Sequence, residues 1–221
     1  MVYTFEDDFD DNYLDPEKWS LDSVSQCSVH ERNQRLKIEP PPSDGIIMGS
    51  YKIAAKPDFD ITGGGQGFFV EVDVYCISGS PAVWVGLRDL GAFSYILMNA
   101  SGEIKAIKMV DNTPTLLASK TADASLSTLK IEQNGNRIYF YENDSLITSV
   151  ENELPTNRVY VGMHGTISNE QQTVWYDNFH VWSGELIWTT TTTELLMLLM
   201  NLVYLIFVIS LLALILRAVR E

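Results

Sequence analysis

Through most of this chain apolar and polar residues alternate with a period of two. In FFVEVDVY, Val70, Val72 and Val74 fall on one face and Glu71, Asp73 and Tyr75 on the other, the pattern of a half-buried strand. AVWVGLR places Val83, Val85 and Leu87 inward and Trp84 and Arg88 outward. SYILMN follows, with Tyr95 assigned outward, and turns at Ala100-Ser101-Gly102 into EIKAIKMV. TLKIEQ and RIYFYEN flank Asn134-Gly135-Asn136, a hairpin signal, and Asn143-Asp144 makes the next turn into SLITSV. RVYVGMHG and TVWYDNFHVW complete the series. Strands at intervals of roughly 8–14 residues, with no helical period between them, predict an all-β, antiparallel two-sheet sandwich. The Pro40-Pro41-Pro42 and Gly63-Gly64-Gly65 runs mark loops, and no linker divides Val2 to Val181, so one domain is expected over residues 1–184.

The pattern changes at the end of the chain. From Leu195 to Leu216 the sequence is apolar on every face and carries no charge. As a helix it spans roughly 33 Å, the thickness of a bilayer core. Residues 195–216 are therefore expected to form a single transmembrane helix, and a lipid bilayer is the first expected partner. Residues 185–194, which contain Thr189 to Thr193, read as a polar spacer, and 217–221 as a short basic tail. Trp182 and Trp188 suit the membrane interface, although Trp182 equally suits the end of a strand.

The net charge of −14 argues against a basic phosphate-binding patch, so nucleic acid is excluded as an expected partner. Cys27 and Cys76 form no Cys-x-x-Cys pair; they are either two buried thiols or one disulfide. Met1 leads into an acidic segment without the apolar stretch of a secretory signal. Arg217 and Arg220 nevertheless favour a cytoplasmic C-terminus, which would place the domain on the far side of the membrane. The internal membrane of a virion reconciles the two signals; the cell surface is the other setting.

The order of the segments resembles the concanavalin A-like lectin/glucanase superfamily, the jelly roll shared with laminin G domains. FEDDFDDNYLDPEKWSL, RLKIEP, the pair GQGFFVEVDV and VWVGLR, the hairpin LKIEQNGNRIYFYEND and the closing VYVGMHGTISNEQQTVWYDNFHV carry the likeness. The resemblance implies a jelly-roll sandwich and a glycan or protein ligand. Glycanases of family 16 use a Glu-x-Asp-x-x-Glu strand. Glu71 and Asp73 match its first two positions, but Tyr75 or Cys76 stands at the third, so no glycanase acid/base pair is expected. In the simpler reading both carboxylates are the solvent side of an alternating strand.

If the strands share a sheet, Glu71, Asp73, Trp84, Arg88 and Tyr95 form an outward set on one concave face, suited to sugars through aromatic faces and polar hydrogen bonds. Tyr139, Tyr141, Tyr160 and His164 form a second outward set. These aromatics equally suit a second core or a contact with capsid proteins or a second copy. The resemblance also implies a structural Ca²⁺ tying the first strand to the last, with Asp8 and Asp177 as its residues; the alternative is a solvated acidic loop. His30, His164 and His180 lie in different strands, and no nucleophile motif or phosphate loop accompanies them. Asn99 and Asn143 begin N-glycosylation sequons. The expected function is non-enzymatic: a membrane-anchored recognition module, with a capsid–membrane linking protein of a virion as the alternative and a glycan hydrolase as the weaker one.

Overall fold

A computed structural model describes residues 3–40, 48–61, 67–76, 79–100, 102–168, 174–183 and 185–187. Residues 195–216 lie outside that set, and among the described residues no helix is long and apolar enough to cross a membrane. Residues 1–187 form one compact unit.

That unit is an antiparallel sandwich of two sheets. The front sheet runs β14 (Ser145–Glu151), β13 (Arg137–Glu142), β12 (Leu126–Asn134), β7 (Phe68–Cys76), β16 (Val174–Ser183), β4 (Leu36–Glu39) and β3 (Ser28–Glu31). β1 (Tyr3–Asp7) pairs with the far half of β16, end to end with β4. The back sheet runs β11 (Thr113–Thr121), β10 (Glu103–Val110), β9 (Phe93–Ala100), β8 (Ala82–Gly86), β15 (Arg158–Ser168), β5 (Met48–Ala55) and β2 (Trp19–Ser25). A short β6 (Asp58–Asp60) pairs with β15 and with β17 (Glu185–Ile187). β17 thus takes residues expected in the spacer into a strand.

The hairpins form as their turn residues dictate. Asn134 pairs with Arg137, leaving Gly135-Asn136 as a two-residue turn with Gly135 at φ 59°. Asn143 and Asp144 both adopt left-handed φ between β13 and β14, the conformation for which Asn and Asp are suited.

Val70, Val72 and Val74 point between the sheets, with Leu129, Ile131 and Phe140 beside them and Val83, Val85 and Leu97 from the back sheet. The two segments that carry the family resemblance hold the ends of this core. In the first, Trp19 packs edge-on against Phe5 and Phe179, and its indole N–H donates to Asp7 Oδ2 at 2.6 Å. In the second, the Tyr176 hydroxyl crosses the core. It meets the Tyr51 hydroxyl at 2.6 Å, accepts from the Ala82 amide and donates to the His164 carbonyl. A buried hydroxyl with several partners locks the facing sheets in one alignment. Gly162 lets β15 lie against β5, because a Cβ there would stand 2.1 Å from the Ile53 carbonyl oxygen.

Candidate functional site

The expected five-residue set does not assemble. Glu71 and Asp73 lie on β7 in the front sheet, while Trp84, Arg88 and Tyr95 belong to the back sheet or the loop after β8. Tyr95 points between the sheets, 0% exposed, and its hydroxyl donates to the Glu151 carbonyl and accepts from the Glu153 amide. Burial raises its phenol above the ordinary tyrosine value. Trp84 does point away from the main core, but it is 0% exposed too. It sits in a second apolar cluster with Ala54, Ala82 and Ile96, packed by Met98, Ile107 and Tyr160. Lys52 lies over its ring at 5.3 Å, and Arg88 stacks over Tyr160 at 4.3 Å. Trp84 is covered because β8 is buried on both faces, so that a residue opposite the core is still enclosed, whereas Tyr95 lies on the core side of β9. The second outward set divides likewise, Tyr139 and Tyr141 going to the front sheet and Tyr160 and His164 to the back.

The front sheet's outer face is where accessible chemistry collects. Register places Glu6, His180, Glu71, Lys130 and Tyr141 in one row across β1, β16, β7, β12 and β13. His180 stands between two carboxylates, its Nε2 3.4 Å from Glu6 and its Nδ1 3.6 Å from Glu71. The neighbouring row holds Trp182, Phe69, Glu132 and Tyr139. Phe69 and Trp182 stack with nearly parallel planes, 7° apart with centroids 6.2 Å apart, and Tyr139 stacks alongside Tyr141. Lys130 reaches over both Phe69 and Tyr141 and pairs with Glu132 at 3.2 Å. Neither Phe69 nor Trp182 stood in the expected set. Both share the parity of Glu71 and His180 on their own strands, and that parity was the available signal.

Two hollows open on this face. One, of about 330 Å³, lies along Phe69, Trp182, Lys130 and Glu132. The other, of about 500 Å³, is lined by Glu6, Asp7, Asp8, Lys18, Glu71 and His180, among others. A bulge in β16 between Asp177 and His180, with Asn178 at φ 48°, shapes the second hollow. Asn178 turns its side-chain amide to Asp73 Oδ2 at 2.9 Å, while Thr128 donates to the other oxygen at 2.6 Å, so Asp73 is held as an acceptor. Of the two residues at the third place of the glycanase pattern, Tyr75 packs on Trp175.

The positions implied for Ca²⁺ are differently engaged. Asp8 lines the larger hollow. Asp177 faces Arg35, with Nε 3.5 Å from Oδ2, and accepts from the Asn178 amide. Burial raises its carboxyl above the ordinary value against the pull of that amide and of Arg35. Among the described residues no group of three or more His, Cys, Asp or Glu converges as a metal site. A guanidinium supplies the counter-charge at Asp177, so the pair does not fit a shared cation. Cys27 is a free thiol directed at the Ser50 carbonyl. Asn99 is fully buried and accepts from the Gly102 amide, so its sequon is inaccessible in the folded domain.

No protein-family model matches the chain, and no curated protein matches it by sequence. Solved structures match it in three dimensions. The likeness is one of fold. A carbohydrate-binding module, CBM66 from Bacillus subtilis, superposes with a TM-score of 0.52 at 15% identity, over 73% of this chain and 93% of that one. The laminarinase from Rhodothermus marinus gives 0.60 at 14%, over 81% and 96%. An endo-acting O-glycanase of the human gut microbiota gives 0.61 at 14%, over 80% and 97%. These are jelly-roll sandwiches, consistent with the concanavalin A-like architecture that the sequence motifs resemble.

Proposed function

We propose that this protein is a non-catalytic recognition module that binds a glycan on the outer face of its front sheet, held at a membrane by residues 195–216. The stacked, near-parallel Phe69–Trp182 pair carries the reading. Two half-buried rings of matching tilt give a platform for the CH face of a pyranose, and Lys130, Glu132, Glu71 and His180 stand beside it to meet hydroxyls. The occurrence of a carbohydrate-binding module and of glycanases among the fold neighbours supports a glycan over a protein ligand. Glycan-array binding by the full chain is the test, with Trp182→Ala and Phe69→Ala as variants. Each is expected to lower binding at least tenfold while leaving the thermal melt within a few degrees. Unchanged binding in both would move the ligand off this face.

One observation favours a second reading, a glycan hydrolase. Glu6 and Glu71 both reach His180, so their carboxylates stand no more than about 9 Å apart, within the range of paired glycosidase carboxyls. The imidazole between them fills the space that a glycosidic bond and its water would need, and on that ground we favour binding without cleavage. Incubation with β-glucans and mucin-type glycans is expected to release no reducing ends. Release that Glu71→Gln abolishes would establish the hydrolase instead.

A further inference from the structure

The outer face of the front sheet carries another row at the end away from Phe69 and Trp182. Register aligns His30, Lys37, Trp175 and Tyr75 across β3, β4, β16 and β7. Their chain neighbours Val29, Leu36, Ile38, Val174, Tyr176 and Val74 pack in the core, so the row itself faces outward. Tyr75 and Trp175 lie 5.3 Å apart with their planes tilted by 34°, and both rings are half-buried. Arg35 reaches back from the β3–β4 turn, and its Cζ stands 4.9 Å over the Trp175 ring.

Arg35 gives this row its chemistry. Its Nε faces Asp177 Oδ2 at 3.5 Å, and its side chain remains 44% exposed. Among the described residues no hydrogen bond engages its two terminal amino groups. A guanidinium held over an indole and turned by one carboxylate presents those nitrogens as a preset fork for a carboxylate or a sulfate. The surroundings suit an anion locally although the chain as a whole carries −14, because three of its 15 Lys and Arg fall between residues 32 and 37. Lys37 above all, with His30 and Arg32, holds the Glu39 carboxyl below its ordinary value. The opposite end of the face is unlike this one, since its larger hollow is lined by Glu6, Asp8 and Glu71.

We propose that Arg35, Trp175 and Tyr75 form a second subsite that takes an acidic sugar, a uronate or a sulfate ester, with the anion on the Arg35 fork and the sugar ring against Tyr75. This inference rests on the glycan reading. Tyr75 stands six residues from Phe69 along β7, about 20 Å, so both subsites serve one oligosaccharide, neutral over Phe69 and Trp182 and acidic at Arg35.

The test is a glycan array of matched pairs, each neutral oligosaccharide printed beside the same oligosaccharide bearing one uronate or one sulfate, probed with the full chain in detergent. The acidic member is expected to bind at least tenfold more tightly, and added NaCl to narrow that gap. Arg35→Gln should level the pairs by weakening only the acidic members, whereas Trp182→Ala should weaken both members alike. Arg35→Lys should fall between, because an ammonium keeps the charge without the fork. Thermal melts of both Arg35 variants should stay within a few degrees of the unaltered chain, as befits an exposed side chain, and the Lys variant gives a second reading should the Gln variant misfold. Whether uronate or sulfate pairs show the wider gap assigns the anion. Equal binding within pairs, or a gap that Arg35→Gln leaves intact, would overturn the acidic subsite while the glycan reading stands. Binding to no member of any pair would overturn both.

Discussion

The outer faces of the two sheets start from the same alternating strand pattern and end as opposites. On the front sheet every second residue of β7 and β16 is half-exposed, so Phe69, Glu71, Asp73, His180 and Trp182 face outward with room beside them. On β8 and β9 of the back sheet the equivalent positions close over. Trp84 pairs with Ile96 across β8 and β9, and both are sealed under Lys52, Met98 and their neighbours. Pointing away from the main core is therefore not the same as being available. A ligand surface needs outward side chains whose neighbours are polar enough to leave them uncovered, and β7 and β16 of the front sheet combine these where β8 and β9 do not.

The largest effect that separates the faces is expected from a matched pair of tryptophan truncations. Trp84→Ala empties a fully buried site and should cost about 3–5 kcal/mol of stability, read as a shift in denaturant midpoint. Trp182→Ala removes a half-exposed ring and should cost about 1 kcal/mol or less. Equal losses would mean that the two faces do not differ as described. Next in size is Tyr176→Phe, which deletes the hydroxyl shared by Tyr51, the Ala82 amide and the His164 carbonyl. Leaving such buried groups without that partner should cost about 1–3 kcal/mol, and a neutral result would show that the sheets are aligned by packing alone.

These residues also show what the sequence could disclose. Turns were legible because they are local: Gly135 and the Asn143-Asp144 pair are chosen for backbone conformations that need no distant partner. The acidic-aromatic opening and the Trp-Tyr-Asp-Asn-Phe ending were legible as a resemblance, and their physical roles are long-range ones. Trp19 is tied to Asp7, Phe5 and Phe179, and Tyr176 to Tyr51. Partner choice was not legible. β7 pairs with β12 and β16 rather than with β8, which follows it, and alternation within a strand carries no information about its sheet. Hence Glu71 and Trp84 were grouped and are separated, while Phe69 and Trp182, distant in sequence, are neighbours.

A pH dependence sharpens the comparison from the back-sheet side. Burial, then the nearby Lys52 charge, lowers the His164 imidazole from its ordinary 6.5 to about 4. Its folded value lies below its unfolded one, so the unfolded chain takes up the proton first. Its contribution to stability is complete above about 6.5 and is lost as pH falls toward 4. Denaturation across that window should show a slope that His164→Gln flattens. A slope unchanged in the variant would assign the acid sensitivity to other groups.

The smallest effect concerns Lys130, whose ammonium covers Phe69 and Tyr141 as Lys52 covers Trp84 on the other sheet. The resemblance between the two contacts is superficial if burial decides what a cation over a ring is worth. On the front face the pair is solvated, so Lys130→Met, which keeps the stem and deletes the charge, should change stability by less than about 1 kcal/mol. Raising the salt concentration should erase even that difference. The ligand should register the change more strongly than the fold does, because Lys130 stands beside the hollow along Phe69 and Trp182. A glycan docked there loses one charged donor, and its binding should weaken severalfold at constant melting temperature. A large melt shift with unchanged binding would invert the roles of the two faces: it would make the Phe69–Trp182 platform a second small core and send the search for the ligand to the rim formed by Arg88 and Tyr160.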